Sequence, residues 1–186
     1  MKKFLAMLMA VMMVLSLVTV PVMAESPAAN DPRLSTAPKT GTAAAPADAA
    51  NLNEALNVAG GTLTFTSEGD HPWIVDGDAA KSTNVNVANS TSTVSTTVTA
   101  AAGDILQFDF RSFGEGSGNT VWDGLHLTVD GTEVAKWNRV ETWTTYAVEL
   151  TAGEHTVAWS YQKDGSIDRE GDYATVDNVY VGAPVT

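Results

Sequence analysis

The stretch "YQKDGSIDREGDYATVDNVYV" (161–181) gathers Asp164, Asp168, Glu170, Asp172 and Asp177, with Lys163 and Arg169 the basic residues among them. Carboxylates this close repel one another unless water, a basic side chain or a cation compensates them. Calcium takes about six to eight hard oxygen ligands in flexible geometry, so carboxylates drawn from separate loops suit it. Asp177 begins the final strand-like run, and alternation sets it in register with Val179 and Val181, on a row expected to face the core. A carboxylate there requires compensation, and the acidic loop "SEGDHPW" (67–73) offers Glu68 and Asp70. The expected metal set is Glu68, Asp70 and Asp177 around Ca2+. The competing reading leaves the loop acids in a solvated turn and bonds Asp177 to loop amides. No D-x-D-x-D-G spacing of the EF-hand kind occurs.

Five tryptophans are many for a small domain, and sugar rings present apolar faces that stack on exposed indoles. Trp159 alternates with Val157 and Tyr161 and belongs to a core. Trp73 and Trp143 read as structural residues closing the ends of the fold. Trp122 ends the glycine-rich loop "GEGSGNTVW" and Trp137 ends its strand before "NRVET", which makes these two the expected ligand-binding residues.

Other chemistry finds less support. His71, His126 and His155 lack H-x-H or H-E-x-x-H spacing and fall on separate elements, so no zinc site is expected, and His126 should meet solvent. Gly116-Ser117-Gly118 does not match the G-x-S-x-G elbow, and no spacing among the 22 acidic residues selects a hydrolytic pair. No catalytic residue is assigned.

The elements that must position these side chains are strands. Short runs with period-two alternation recur, separated by Gly, Asp and Asn: 62–66, 91–99, 104–110, 124–129, 132–137, 144–150, 155–161 and 174–181. A short helical turn is expected at "NLNEAL" (51–56). Asp130-Gly131 between two such runs predicts a tight hairpin, and Ala152-Gly153 a second join of the same kind. Alternation puts Leu106, Phe108 and Phe110 on one face, and likewise Leu125, Leu127 and Val129; Tyr146, Val148 and Leu150; and Val157, Trp159 and Tyr161. The fold class is all-β, a two-sheet antiparallel β-sandwich of jelly-roll type, with one domain over residues 52–186.

The N-terminus sets the compartment. Lys2 and Lys3, an apolar run from Phe4 to Val20 and the small-residue site Val22-Met23-Ala24 read as a signal peptide over residues 1–24. Residues 25–51, rich in Ala, Pro, Ser and Thr, read as a flexible linker. Removing residues 1–24 leaves 22 acidic against eight basic residues, a formal charge of −14. Such a chain is repelled by phosphate backbones and anionic lipid, so nucleic acid is excluded as a partner and no stable membrane insertion is expected after cleavage. Cysteine is absent, so stability must come from packing and any bound cation.

The stretches "PWIVD" (72–76), "TAAAGDILQFDF" (99–110), "DGLHLTVDGTEV" (123–134), "WTTYAVELTAGEHTVAWSYQKDGS" (143–166) and "GDYATVDNVYV" (171–181) together resemble the β-jelly-roll surface modules of bacteria known as cleaved-adhesin or choice-of-anchor J domains, relatives of MAM-type sandwiches. The resemblance covers nearly all of residues 56–181. It implies a secreted, non-catalytic module that binds a glycan or a cell-surface protein, with calcium holding loops to the sheet ends. A small sandwich hydrolase or lyase, and a purely structural spacer, stay open as alternatives.

Overall fold

In the computed structural model the described residues are 34–35, 49–117, 119–166 and 171–184. The expected signal peptide (1–24), most of the linker, and Asp168, Arg169 and Glu170 lie outside them. Among the described residues no helix is long and apolar enough to cross a membrane.

The chain order is β1 (Leu34–Ser35), α1 (Leu52–Leu56), β2 (Phe65–Thr66), β3 (Ile74–Asp76), β4 (Ala79–Lys81), β5 (Thr91–Ala100), β6 (Ile105–Ser112), β7 (Gly116–Ser117), β8 (Thr120–Val121), β9 (Gly124–Val129), β10 (Thr132–Trp137), β11 (Val140–Glu149), β12 (Gly153–Gln162) and β13 (Ala174–Gly182). One sheet runs β1-β11-β6-β13-β4-β3, the other β10-β9-β12-β5-β2, and β7-β8 form a small ribbon. The two large sheets stack as an antiparallel sandwich in which the chain changes sheet from β5 to β6, from β10 to β11, from β11 to β12 and from β12 to β13, as in a jelly roll, while β9 and β10 form a hairpin within one sheet.

Alternation builds the core between the sheets. Leu106, Phe108 and Phe110 of β6 are fully buried against Leu125, Leu127, Val157, Trp159 and Tyr161 of the opposite sheet. The Phe108 ring meets Trp159 edge-on with centroids 5.3 Å apart. Ser112 links the layers by polar means: its Oγ donates to the Trp137 carbonyl and accepts the Leu125 N–H. Helix α1 starts at the cap Asn51, whose side chain accepts the Glu54 N–H, and buries Ala55 and Leu56 in the same core. Two residues of the expected linker join the sheet edge, Leu34 pairing with Tyr146 and Ser35 with Thr145.

Three expectations about register are corrected. Asp130-Gly131 is the tight hairpin, both residues at positive φ (52° and 76°), but Ala152-Gly153 is not: β11 and β12 lie in different sheets, and this turn carries the chain across the sandwich. Trp137 is 2% exposed, a core residue and not a displayed one. Extending the Asp130-Gly131 turn without interruption would set Trp137 opposite Gly124, on the face of His126. An extra residue at Val134 shifts the pairing, so Trp137 lies opposite Leu125 and faces inward, 4.4 Å from the Phe110 ring. The same device acts on Asp177. A bulge between Asp177 and Tyr180, with Asn178 at φ 54°, lets Val176 and Val179 both reach the core. Asp177 pairs with Asp109, which lies between Phe108 and Phe110 and therefore points away from the core.

Candidate functional site

One end of the sandwich carries a buried ionic cluster. Lys163 follows the last residue of β12, Asp123 immediately precedes β9, and Asp172 stands two residues before β13, so the three groups sit where three strands meet the loops. The Lys163 Nζ lies 3.0 Å from Asp123 Oδ2 and 3.3 Å from Asp172 Oδ2. The side chains of Lys163 and Asp123 have no exposure and that of Asp172 has 6%. Asp123 Oδ1 accepts the Asp164 N–H at 2.8 Å, and the Lys163 N–H reaches the Ser90 carbonyl at 2.9 Å. Burial pulls the Lys163 ammonium down, but its hydrogen bond to Asp123 and the charges of Asp123 and Asp172 outweigh that and hold its pKa above the ordinary value. Tyr161 donates to the Phe113 carbonyl beside this cluster, and burial, with the charges of Asp172, Asp123 and Glu115, pushes its pKa far up.

The cluster anchors the loop that carries Trp122. The N–H groups of Trp122 and Asp123 both reach the Glu115 carbonyl, at 3.0 and 3.1 Å, and Gly116 and Ser117 pair with Val121 and Thr120. The glycine-rich loop is close-packed at Gly114 and Gly116. A Cβ on Gly114 would collide with the Asp123 carbonyl, and one on Gly116 with the Thr120 carbonyl and the Asn138 amide. From this braced loop Trp122 projects with 45% exposure. Asp164 and Asn89 are tied to the residue that follows it: the Asp164 N–H donates to Asp123, and the Asn89 N–H to the Asp164 carbonyl at 2.7 Å.

Of the two expected ligand-binding tryptophans, Trp122 is displayed and Trp137 is not. Glu68 and Asp70 are exposed in the loop between β2 and β3, whereas Asp177 is buried on the outward side of β13. Among the described residues no three His, Cys, Asp or Glu side chains are placed to hold a metal, and Glu68, Asp70 and Asp177 are not brought together as a set. The compensating group in the acidic loop region is the Lys163 ammonium. Lys163 was visible in the sequence as a neighbour of the acids; its route into the interior was not, because the partner Asp123 is 40 residues away along the chain.

Other candidates are spent on structure. Asp109 and Asp177 oppose each other, but Asp109 accepts from the Thr145 hydroxyl and, at 2.8 Å, from the Asn178 amide, and Asp177 accepts the Asn178 N–H. His126 is 7% exposed and bonds Glu133 at 2.7 Å, a correction to its expected place in solvent. A cavity of about 450 Å³ lies between α1 and residues 58–64, but no aromatic residue lines it, and its Asn53 and Asn57 side chains hold the Phe65 and Leu63 backbone.

No protein-family model and no curated protein matches the chain. Among solved structures, the secreted serine protease VesC from Vibrio cholerae is similar over 64% of this chain at 21% identity and a TM-score of 0.50, and the chain spans 24% of that protein's length. A family 35 carbohydrate-binding module from an environmental isolate is similar at 14% identity, with 65% of this chain and 84% of that one covered and a TM-score of 0.36. TmCBM61, solved in complex with β-1,4-galactotriose, is similar at 13% identity, with 73% and 100% covered and a TM-score of 0.37. At these identities the likeness concerns the fold alone.

Proposed function

We propose that the chain is an exported, non-catalytic binding module that takes a glycan at the loop end of the sandwich, with Trp122 as the stacking platform. The observation that carries this reading is the contrast among tryptophans. Trp73, Trp137 and Trp159 are buried to 2% exposure or less, whereas Trp122 holds its indole in solvent on a loop whose backbone is pinned from both sides. An exposed, immobilised aromatic costs hydration without contributing to the core, and its use is a planar apolar contact such as a sugar ring presents. Asn89 and Asp164, linked to the Trp122 loop through Asp123, supply hydrogen-bonding groups. The basic pair Lys2-Lys3 and the apolar run before Ala24 support export.

The test is a glycan array probed with the mature chain, followed by titration of the best ligand and assay for released product. Trp122→Ala should abolish binding while leaving the fold intact, and no product should appear. Undiminished binding by Trp122→Ala would remove the loop end as the site, and release of reducing ends would replace binding with hydrolysis.

A further inference from the structure

The outward face of the six-stranded sheet carries a second arrangement, independent of Trp122. Cross-strand pairing places one row over β6, β13, β4 and β3: Arg111 opposite Thr175, Thr175 opposite Lys81, and Lys81 opposite Ile74. Trp143 of β11 extends the row, its ring centre 4.6 Å from the Arg111 guanidinium carbon. One step nearer the loop end, Phe113 and Tyr173 stack with centroids 4.8 Å apart, and the Lys81 ammonium sits 4.1 Å over the Tyr173 ring. Arg111 is fixed by contacts that leave its charge uncompensated. Its Nε donates to Thr175 Oγ1 at 3.2 Å, the Trp143 and Phe113 rings flank it, and among the described residues no carboxylate pairs with it. Among the described residues the one carboxylate near Lys81 is that of Asp76, at 3.8 Å and half-exposed.

A guanidinium held over an indole, whose Nη groups make no hydrogen bond among the described residues, can meet a planar carboxylate bidentately. Two of the eight basic residues of so acidic a mature chain share this row, the carboxylates of Asp109 and Asp177 two residues along are held by Thr145 and Asn178, and the aromatic residues around the cations provide the apolar contact a sugar ring uses. We propose that this face binds a carboxylate-bearing glycan, a uronate polymer, with Arg111 receiving the carboxylate, Lys81 adding a second positive contact along the row, and Trp143 and Tyr173 holding the cations in place. This site stands whether or not Trp122 binds a sugar.

The experiment titrates the full mature chain with short oligogalacturonate, with the same oligomer after its carboxyl groups are reduced to alcohols, and with polyglutamate, following the tryptophan indole N–H signals by NMR. Wild type and Trp122→Ala should bind oligogalacturonate equally, with the Trp143 signal moving. Arg111→Gln and Arg111→Lys should each weaken it about tenfold or more, since lysine lacks the fork. The reduced oligomer should bind no differently to wild type and the Arg111 variants. Thermal melting checks that both variants fold, and should Arg111→Gln fail to, Arg111→Lys decides. Equal binding of the acidic and reduced oligomers, undiminished binding by the Arg111 variants, loss of binding in Trp122→Ala, polyglutamate binding as tightly as the uronate, or no binding at all would each overturn the proposal.

Discussion

The Lys163 ammonium lies 3.0 Å from the Asp123 carboxylate, and neither side chain reaches solvent. The pair bridges the exit of β12 and the entry of β9, and through Asp172 it also holds the entry of β13 in the opposite sheet. Two carboxylates brought this deep into the sandwich would be costly unpaired, and the chain supplies the cation itself. The position of Trp122, one residue before Asp123, depends on this bridge.

Lys163→Met removes the charge while keeping most of the volume. It leaves Asp123 and Asp172 buried against each other, and breaking one side of a buried pair costs about 3–5 kcal/mol. The expected result is a large fall in the urea midpoint at an unchanged slope. A loss under about 1 kcal/mol would mean that the pair contributes no more than an exposed one.

Trp122 and Trp137 should separate binding from stability. Trp137→Ala empties a site packed against Phe110 and, at 4.9 Å, Tyr146, and should cost about 3–5 kcal/mol. Trp122→Ala removes an exposed ring and should change stability by less than about 0.5 kcal/mol. Chemical denaturation of both variants checks this, and comparable losses would place the Trp122 ring inside the packed structure.

How far the sequence reveals these arrangements depends on uninterrupted pairing. Phe108 and Trp159 could be placed in the core because period-two alternation holds along β6 and β12, and Asp130-Gly131 because its backbone conformation has few alternatives. Trp137 and Asp177 were misplaced for one shared reason. Trp137 lies after a one-residue bulge at Val134, and Asp177 just before one at Asn178 that separates it from Val179 and Val181; a bulge inverts the parity between the residues on its two sides while leaving a one-dimensional pattern that looks regular. The row from Trp143 to Ile74 joins residues from five strands, and the Lys163–Asp123 contact closes over a long loop; neither leaves a local signature in the chain.

His155 gives a pH dependence with a definite sign. Its Nδ1 lies 2.7 Å from Asp130 Oδ2 and its Nε2 2.8 Å from the Thr151 carbonyl, so both nitrogens face acceptors and the imidazolium is favoured. The bond to Asp130, then that to Thr151, raises the His155 pKa above 6.5 despite burial, and the His155 bond lowers Asp130 below 3.8. The His155 contribution is therefore complete below pH 6.5 and is lost as pH rises through the raised value. The Asp130 contribution is present above 3.8 and lost as pH falls through the lowered value. Asp130 is 53% exposed, so the pair should be worth under about 1 kcal/mol. The stability gap between wild type and His155→Gln should be larger at about pH 6 than at about pH 9, and a gap that widens with pH would reverse the assignment.

Calcium removal tests whether Lys163 replaces a metal at the loop end. The described acids bring no three ligands together, and Asp123 and Asp172 already face an ammonium that a divalent ion would repel. Bound calcium at about a hundred times its Kd would add about 2.7 kcal/mol, enough to move the melting midpoint by many degrees in a domain of this size. We expect the midpoint of the wild-type chain to be the same in excess calcium and in excess chelator, and Lys163→Met to be the background in which added calcium stabilises, since it vacates the position between the two carboxylates. A chelator-dependent midpoint in the wild type would show that calcium, and not Lys163 alone, compensates the acidic loops.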